Sequence, residues 1–297
     1  MAGWRGTFQT RKSDLGVLRT AGKLLAGAPR DRLGQSKDSM NGEECKAALR
    51  AGRRVYGTMF VSTRANRGDE ALGGIGLDFL IVDNEHSPYS RAETSDWCHK
   101  LAGMGIVPFV RVPIPASHYI TMALDGGAQG ILAPYVERVE QVRECVAACK
   151  YLPLKGEAVQ RAAHTADFPS EETRLWLAGR NKNNILVIGI ESVAAMERLD
   201  DLLSVPGVDG AFVGPNDLSI QLGVPNQYQH PRYVEAVRRI HLACVKKNVP
   251  LVIHFFDHAM AEPFIQEGVR FILYGNDRGG VAELKSHFEF LKRVQAR

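Results

Sequence analysis

In the stretch Leu186–Gln221, LVIGIESVAAMERLDDLLSVPGVDGAFVGPNDLSIQ, two acidic residues each follow an apolar run. Leu186–Ile190 ends in Glu191, and Gly210–Val213 passes through Gly214 and Pro215 to Asp217. A helical pattern, Val193–Leu203, lies between them. The two runs read as neighbouring parallel strands that present carboxylates at their C-terminal ends. Two such carboxylates can hold one hard divalent cation, which prefers oxygen ligands.

Other chemically capable residues fall at comparable places. The run Phe79–Asp83 ends in an acid and is followed by Asn84, Glu85 and His86, and Arg111 sits inside the apolar run VPFVRVP. Each has a plainer reading. Asp217 can be the cap of the next helix, and Glu191 can be a cap as well, although Glu caps poorly. Arg111 can be one half of a structural ion pair, since a guanidinium among apolar residues needs an anionic partner. His86 can be a loop histidine. His254, at the end of a strand, reads as packing, and His118, His241, His258 and His287 read as surface or helix-face residues. The joint pattern is more specific than any member. No HExxH occurs to argue for zinc, and no lysine lies within a strand. A Schiff-base mechanism, which needs a desolvated lysine, is thereby disfavoured, and the two-carboxylate metal route takes its place.

These residues need a scaffold. Eight strands are expected: Val55–Phe60, Phe79–Asp83, Val107–Val112, Gly130–Ala133, Leu186–Ile190, Gly210–Val213, Leu251–Ile253 and Phe271–Tyr274. Most are continuous apolar runs, as suits strands buried on both faces of a parallel sheet. Helical patterns alternate with them, at Arg91–Ala102, Ala116–Asp125, Val139–Lys150, Glu171–Gly179, Val193–Leu203, Tyr233–Lys246, Ala259–Gln266 and Gly280–Val294. Eight strand-then-helix units point to an α/β fold, a (β/α)8 TIM barrel, with catalytic groups at the C-terminal ends of its strands. An open doubly wound sheet is the alternative, disfavoured because no GxGxxG follows the first strand. Pro153–Ser170 reads as a long irregular loop of the kind that often serves as a lid, and Gly223–Pro231 as a second loop.

At 297 residues and 45% hydrophobic, the chain can form one such barrel over residues 41–297. Residues 1–40 form a separate basic extension with only three acids, Asp14, Asp31 and Asp38. It reads as a plain extension or a subunit-docking arm, with organelle import as an alternative. A net charge of +4 without a basic, aromatic-interleaved patch argues against nucleic acid. No apolar run approaches the roughly 20 residues of a membrane span. Five cysteines without a CxxC motif read as buried thiols of a reducing, cytoplasmic compartment.

The blocks LDFLIVDNEHSPYS, PFVRVP, ALDGGAQGILAPYVE, IGIES and VDGAFVGPNDLS resemble the HpcH/HpaI family of metal-dependent pyruvate aldolases, over about residues 41–292. The resemblance implies Glu191 and Asp217 as ligands of Mg2+ or Mn2+, with Co2+ as a further candidate, and Asp83 with His86 as a base dyad. It implies that Arg111 stabilises an enolate and that Asp125 reaches a neighbouring subunit's site in a homo-oligomer, a trimer or hexamer. Backbone N–H groups around Gly214, Pro215, Asn216 and Asp217 suit a substrate carboxylate. The implied reaction is carbon–carbon cleavage or formation between an aldehyde and a 2-oxo acid of the pyruvate type.

The chain departs from the family pattern at Gly189, where Gln is usual. It departs again at Met59 and Phe60, in the LPLKGEAVQ loop containing Lys155 and Glu157, and at Tyr135, placed on the substrate side. These leave open a decarboxylase of oxaloacetate, an enzyme like macrophomate synthase that traps the enolate with a special acceptor, and a non-catalytic barrel that binds a 2-oxo acid.

Overall fold

The computed structural model describes residues 39–62, 72, 74–277 and 281–294, with no side-chain description for 281–285. The expected extension, residues 1–40, lies outside this range apart from Ser39 and Met40. In chain order the elements are α1 Gly42–Arg50, β1 Val55–Phe60, β2 Phe79–Asp83, α2 Arg91–Gly103, β3 Val107–Arg111, α3 Ser117–Asp125, β4 Gly130–Ala133, α4 Val139–Lys150, α5 Glu157–His164 and α6 Glu171–Arg180. There follow β5 Ile185–Gly189, α7 Val193–Glu197, α8 Leu199–Leu203, β6 Gly210–Val213, α9 Pro215–Gln221, α10 Pro231–Lys247, β7 Leu251–Phe255, α11 His258–Gln266, β8 Phe271–Asn276 and α12 Val281–Arg293. The eight strands close in sequence order into one parallel barrel, the (β/α)8 architecture expected.

Alternation along each strand explains how the barrel interior is divided. Successive side chains of a strand point to opposite faces, so Phe79, Ile81 and Asp83 share one face of β2, and Val107, Phe109 and Arg111 share one face of β3. Phe79, Phe109 and Phe271 meet edge-on inside, with ring centroids 4.8–6.0 Å apart. Two glycines make room for these rings. A Cβ on Gly57 would fall 2.4 Å from the ring of Phe79, and one on Gly130 would fall 2.2 Å from that of Phe109. The lower interior is thus filled with aromatic carbon, and the last inward positions, at the C-terminal ends, carry Asp83 and Arg111.

Helix α1, absent from the sequence expectation, packs Cys45, Ala48 and Leu49 into the same inner cluster and covers the N-terminal end of the barrel. It starts with a capping box: Asn41 Oδ1 accepts from Glu44 N (3.0 Å) and Asn41 N donates to Glu44 Oε2 (2.8 Å). The expected helix Val193–Leu203 is broken at Arg198 into α7 and α8.

The expected lid is corrected in two ways. Pro153–Ser170 contains a helix, α5, and, following α4, it stands away from the strand C-termini where a lid would close. Asn181 Nδ2 donates to Lys150 O (3.0 Å) and Leu152 O (2.9 Å), and Asn184 Nδ2 donates to Cys149 O (2.9 Å), so the excursion begins and ends beside the N-terminal end of β5. It lies at the opposite end of its own barrel from the strand C-termini. Gly223–Pro231, in contrast, follows α9 on the C-terminal side.

Candidate active site

β2 and β3 are paired in register with Asp83 directly opposite Arg111. Arg111 donates to Asp83 through Nε (2.8 Å) and Nη2 (2.7 Å), a bidentate pair with both side chains buried. Asp83 also accepts from the backbone N–H groups of Glu85 (3.0 Å) and His86 (3.4 Å), so the turn after β2 folds back over its own last residue. Arg111 Nη1 lies 2.9 Å from Glu85 Oε2, and His86 Nε2 lies 3.6 Å from the same oxygen. The carboxylate beside the imidazole therefore belongs to Glu85, while Asp83 is taken up by Arg111. The expected Asp83–His86 side-chain dyad is not formed, because a guanidinium directly opposite a buried carboxylate wins over a histidine on the exposed turn. The His86 side chain is 60% exposed and faces solvent.

Glu85 was not singled out by sequence reasoning, although it stands between two residues that were. Burial raises its pKa, and the negative charges of Asp83 and Asp217 add to that effect against Arg111. Arg111 is held firmly cationic by its bonds to Asp83 against the cost of its burial.

β5 pairs with β6, as expected, and the chain beyond Gly189 delivers Glu191. Glu191 is 3% exposed, and its Oε2 accepts from Tyr135 N (3.3 Å). Its Oε1 is buried with no hydrogen-bond partner among the described residues. Burial pushes its pKa up to about 8, with help from Glu85 and Asp217 against Arg111. A Cβ on Gly214 would lie 2.7 Å from that Oε1, so only glycine leaves room for the carboxylate at the end of β6. Gly214 is the N-cap of α9, Pro215 fills its first position, and Asp217 stands exposed in the first turn without capping it. The capping alternative for Asp217 is thus not realised.

An orphaned buried carboxylate oxygen facing a glycine cradle, with a second acid one strand away, fits a hard cation. Among the described residues no group of three or more His, Cys, Asp or Glu side chains is assembled for one. A cation here would draw two protein oxygens from Glu191 and Asp217 and complete its shell with water and ligand oxygens.

Tyr135 follows β4 with φ 35°, a left-handed conformation that costs a non-glycine residue energy. The turn aims its N–H at Glu191, and its hydroxyl donates to Pro113 O (3.1 Å) across the mouth. Gly189 permits this turn: a Cβ there would lie 2.9 Å from Tyr135 N and 3.0 Å from Glu191 Oε1. On the far side, Tyr228 of the Gly223–Pro231 loop donates to Asn216 Oδ1 (2.5 Å) and fixes the start of α9. His254 is buried, with Nε2 2.8 Å from Gly275 O, and is a packing residue as expected.

Asp125 is apart from this mouth. It ends α3 and pairs with Lys155 (3.2 Å) at the other end of the barrel, so its own carboxylate does not face its own site.

Comparison with known proteins agrees with this geometry. The family model described as HpcH/HpaI aldolase/citrate lyase matches residues 57–283. A 2-keto-3-deoxy-L-rhamnonate aldolase of Salmonella typhimurium is 33% identical over 261 residues, covering 84% of this chain and 94% of its own. The crystal structure of an HpcH/HpaI aldolase from Desulfitobacterium hafniense superposes with a TM-score of 0.68 at 29% identity, over 84% of this chain and 96% of that one. Macrophomate synthase superposes with a TM-score of 0.62 at 25% identity, over 95% and 96%. With the barrel, the Asp83–Arg111 pair and the Glu191 cradle in place, the chain belongs to the HpcH/HpaI aldolase/citrate lyase family of carbon–carbon lyases.

Proposed function

We propose that this protein is a divalent-metal-dependent aldolase that cleaves or forms 4-hydroxy-2-oxo acids by way of the enolate of pyruvate. The observation that carries this reading is the orphaned Glu191 carboxylate in its Gly214 cradle beside the Asp83–Arg111 pair. Glu191 and Asp217 hold the cation, Mg2+ or Mn2+ by the hardness of the oxygen donors. When bound, it supplies Lewis-acid polarisation of the 2-oxo group.

The chain's own residues do the rest. Arg111, locked by Asp83, points the remaining face of its guanidinium at the oxygen on which negative charge develops. His86, at the wet edge of the mouth and oriented by Glu85, takes the proton from the 4-hydroxyl as the C3–C4 bond breaks. Cleavage leaves an aldehyde and the enolate, and the same imidazole returns the proton to the enolate carbon. The N–H groups of Asn216 and Asp217, at the start of α9, suit the substrate carboxylate; Pro215 has none to offer. The acids of 2-keto-3-deoxy sugars, as in the name of the Salmonella relative, are the substrate class to try first.

Tyr135 governs the acceptor side. Its ring spans the ends of β3 and β4, so it narrows the room for the aldehyde. Tyr135→Ala is expected to broaden the range of aldehydes taken up in the aldol direction while pyruvate proton exchange stays within about threefold of wild type. An unchanged product range would remove Tyr135 from this role.

The same Gly189–Tyr135 departure supports a second reading, in which oxaloacetate supplies the enolate by decarboxylation. Products formed from oxaloacetate, with and without an aldehyde, separate the two. Assembly into a homo-oligomer is part of the proposal: Asp125 lies away from its own mouth and can serve a site only in a second copy. Among the described residues no helix is long and apolar enough to cross a membrane, and the five cysteines are buried thiols, as in a cytoplasmic protein.

A further inference from the structure

The lip of the mouth beyond β7 is aromatic. Side chains alternate along a strand. Val252 joins the inner cluster of the barrel, whereas Ile253 and Phe255 pack in the outer one, under the helices. His254 therefore shares the inward face with Val252, one step nearer the C-terminal end. The charges of Arg111 and Asp83 reach it there, so this face belongs to the mouth described above. Phe256, one residue beyond the strand, continues the face: its ring centroid lies 4.5 Å from that of His254. On its other side the ring of Tyr228 lies 5.6 Å away, and Tyr228 stands edge-on to Tyr233 at 5.6 Å. His254 and Tyr233 are buried, whereas Phe256 and Tyr228 are only half-buried, so the row of rings opens at these two.

The polar atoms that these rings could offer are used within the chain. Tyr228 Oη meets Asn216 Oδ1 (2.5 Å) and Asn226 Oδ1 (3.0 Å), and His254 Nε2 donates to Gly275 O (2.8 Å). On the other lip, Tyr135 Oη donates to Pro113 O (3.1 Å). Tyr135 follows β4 and Phe256 follows β7, while Glu191 and Asp217 follow β5 and β6 between them. A 2-oxo acid bound beside those carboxylates is thus flanked by aromatic carbon. A substituent carrying several hydroxyls loses water there with few partners in return, which is costly. A flat apolar substituent buries carbon on carbon, and ring against ring adds a favoured geometry.

We propose that Phe256 and Tyr228 form a shelf for the aldehyde half of the substrate and select an aromatic aldehyde over a hydroxylated one. This rests on the aldolase reading given above and narrows its aldehyde, away from the sugar acids that the Salmonella relative's name suggests. The probe pair is 4-hydroxy-2-oxo-4-phenylbutanoate and 4,5-dihydroxy-2-oxopentanoate. In either acid the C3–C4 bond breaks, the 4-hydroxyl proton is passed to the enolate carbon, and an aldehyde and pyruvate are left, with no further reactant. Pyruvate release by the full chain is measured for both acids with Mg2+ present, and pyruvate methyl proton exchange is followed in parallel.

The expected result is a kcat/KM for the phenyl acid that exceeds that for the dihydroxy acid by about tenfold or more. Phe256→Ala should lower this preference by about tenfold, chiefly by raising KM for the phenyl acid, and Phe256→Tyr, which keeps the ring, should retain it. A fall of equal size for both acids in Phe256→Ala would make Phe256 a packing residue and overturn the proposal. A wild-type preference for the dihydroxy acid, with proton exchange intact, overturns the shelf and leaves the aldolase reading standing. Absence of exchange and of cleavage of either acid overturns both.

Discussion

At the scale of single residues, the site turns on which partner each charge selects. Asp83 chooses Arg111 because strand register sets them side by side in the barrel interior, and an ionised pair there must be complete. Arg111→Ala is therefore expected to do two things. It should abolish pyruvate proton exchange, and it should destabilise the fold by about 3–5 kcal/mol through the stranded Asp83 charge, measured by chemical denaturation. A stability change under about 1 kcal/mol would mean that Asp83 finds another partner. Glu191→Gln removes a cation ligand but keeps the shape of a side chain whose carboxyl is already driven toward neutrality by burial. Exchange should fall by about 10²–10³ or more, the equivalent of several kcal/mol of lost charge stabilisation, with stability equal to or above wild type. Glu191, Asp217, Asp83 and Arg111 were legible in the sequence because each is a charged residue at the end of an apolar run. Glu85 was not singled out, because its importance depends on how the turn folds back: both Glu85 N and His86 N bind Asp83, and that puts Glu85 rather than Asp83 against the imidazole.

At the scale of elements, periodicity placed the eight strands to within about two residues at each end. The parity along β2 and β3, aromatic below and charged above, was present in the sequence as Phe79–Ile81–Asp83 and Val107–Phe109–Arg111. The turns were harder. The left-handed Tyr135 and the bare Gly189 read as two separate oddities in the sequence, yet they form one device, since a side chain at 189 would displace the backbone that reaches Glu191. Gly189→Ala should accordingly cost about 1–3 kcal/mol of stability and lower exchange activity together. Ala at 189 without loss of either would show that the turn can yield. Helix α1 was missed although Asn41 and Glu44 have capping-box spacing, because the strand-then-helix repeat begins only at β1. The Pro153–Ser170 excursion follows the helix expected at Val139–Lys150 and precedes β5, so the strand-then-helix order already assigned it to the N-terminal end of the barrel; its length alone had suggested a lid.

At the scale of the whole molecule, buried ionisable groups make stability depend on pH in two opposite senses. His241 and His254 are both pulled down to about 4 by burial. The unfolded chain binds protons at these histidines from about pH 6.5 downward, whereas the folded chain resists until about pH 4. Their contribution is complete above the unfolded value and is lost as pH falls through that window. Glu191 acts in the other sense in the chelated protein: its folded value lies above its unfolded one, so it costs stability as pH rises from 4.5 toward 8. His241→Phe should flatten the acid limb of a plot of denaturation midpoint against pH between about 6.5 and 4 and leave the limb above pH 7 unchanged. An acid limb of the same slope in the variant would contradict the buried neutral state of His241. His241 was read from sequence as a surface or helix-face residue, yet it continues the buried stripe Tyr233, Val237, Ile240, Cys244 of α10 at helical spacing.

The central claim, that this mouth makes the enolate of pyruvate, is tested most directly by NMR of pyruvate methyl protons in deuterated buffer. The measurement is made with Mg2+ or Mn2+, with a chelator, and with Glu191→Gln. The account predicts exchange that requires the cation and is lost in Glu191→Gln. Cation binding without exchange in the wild-type protein, or equal exchange in the chelated protein and the variant, would contradict it.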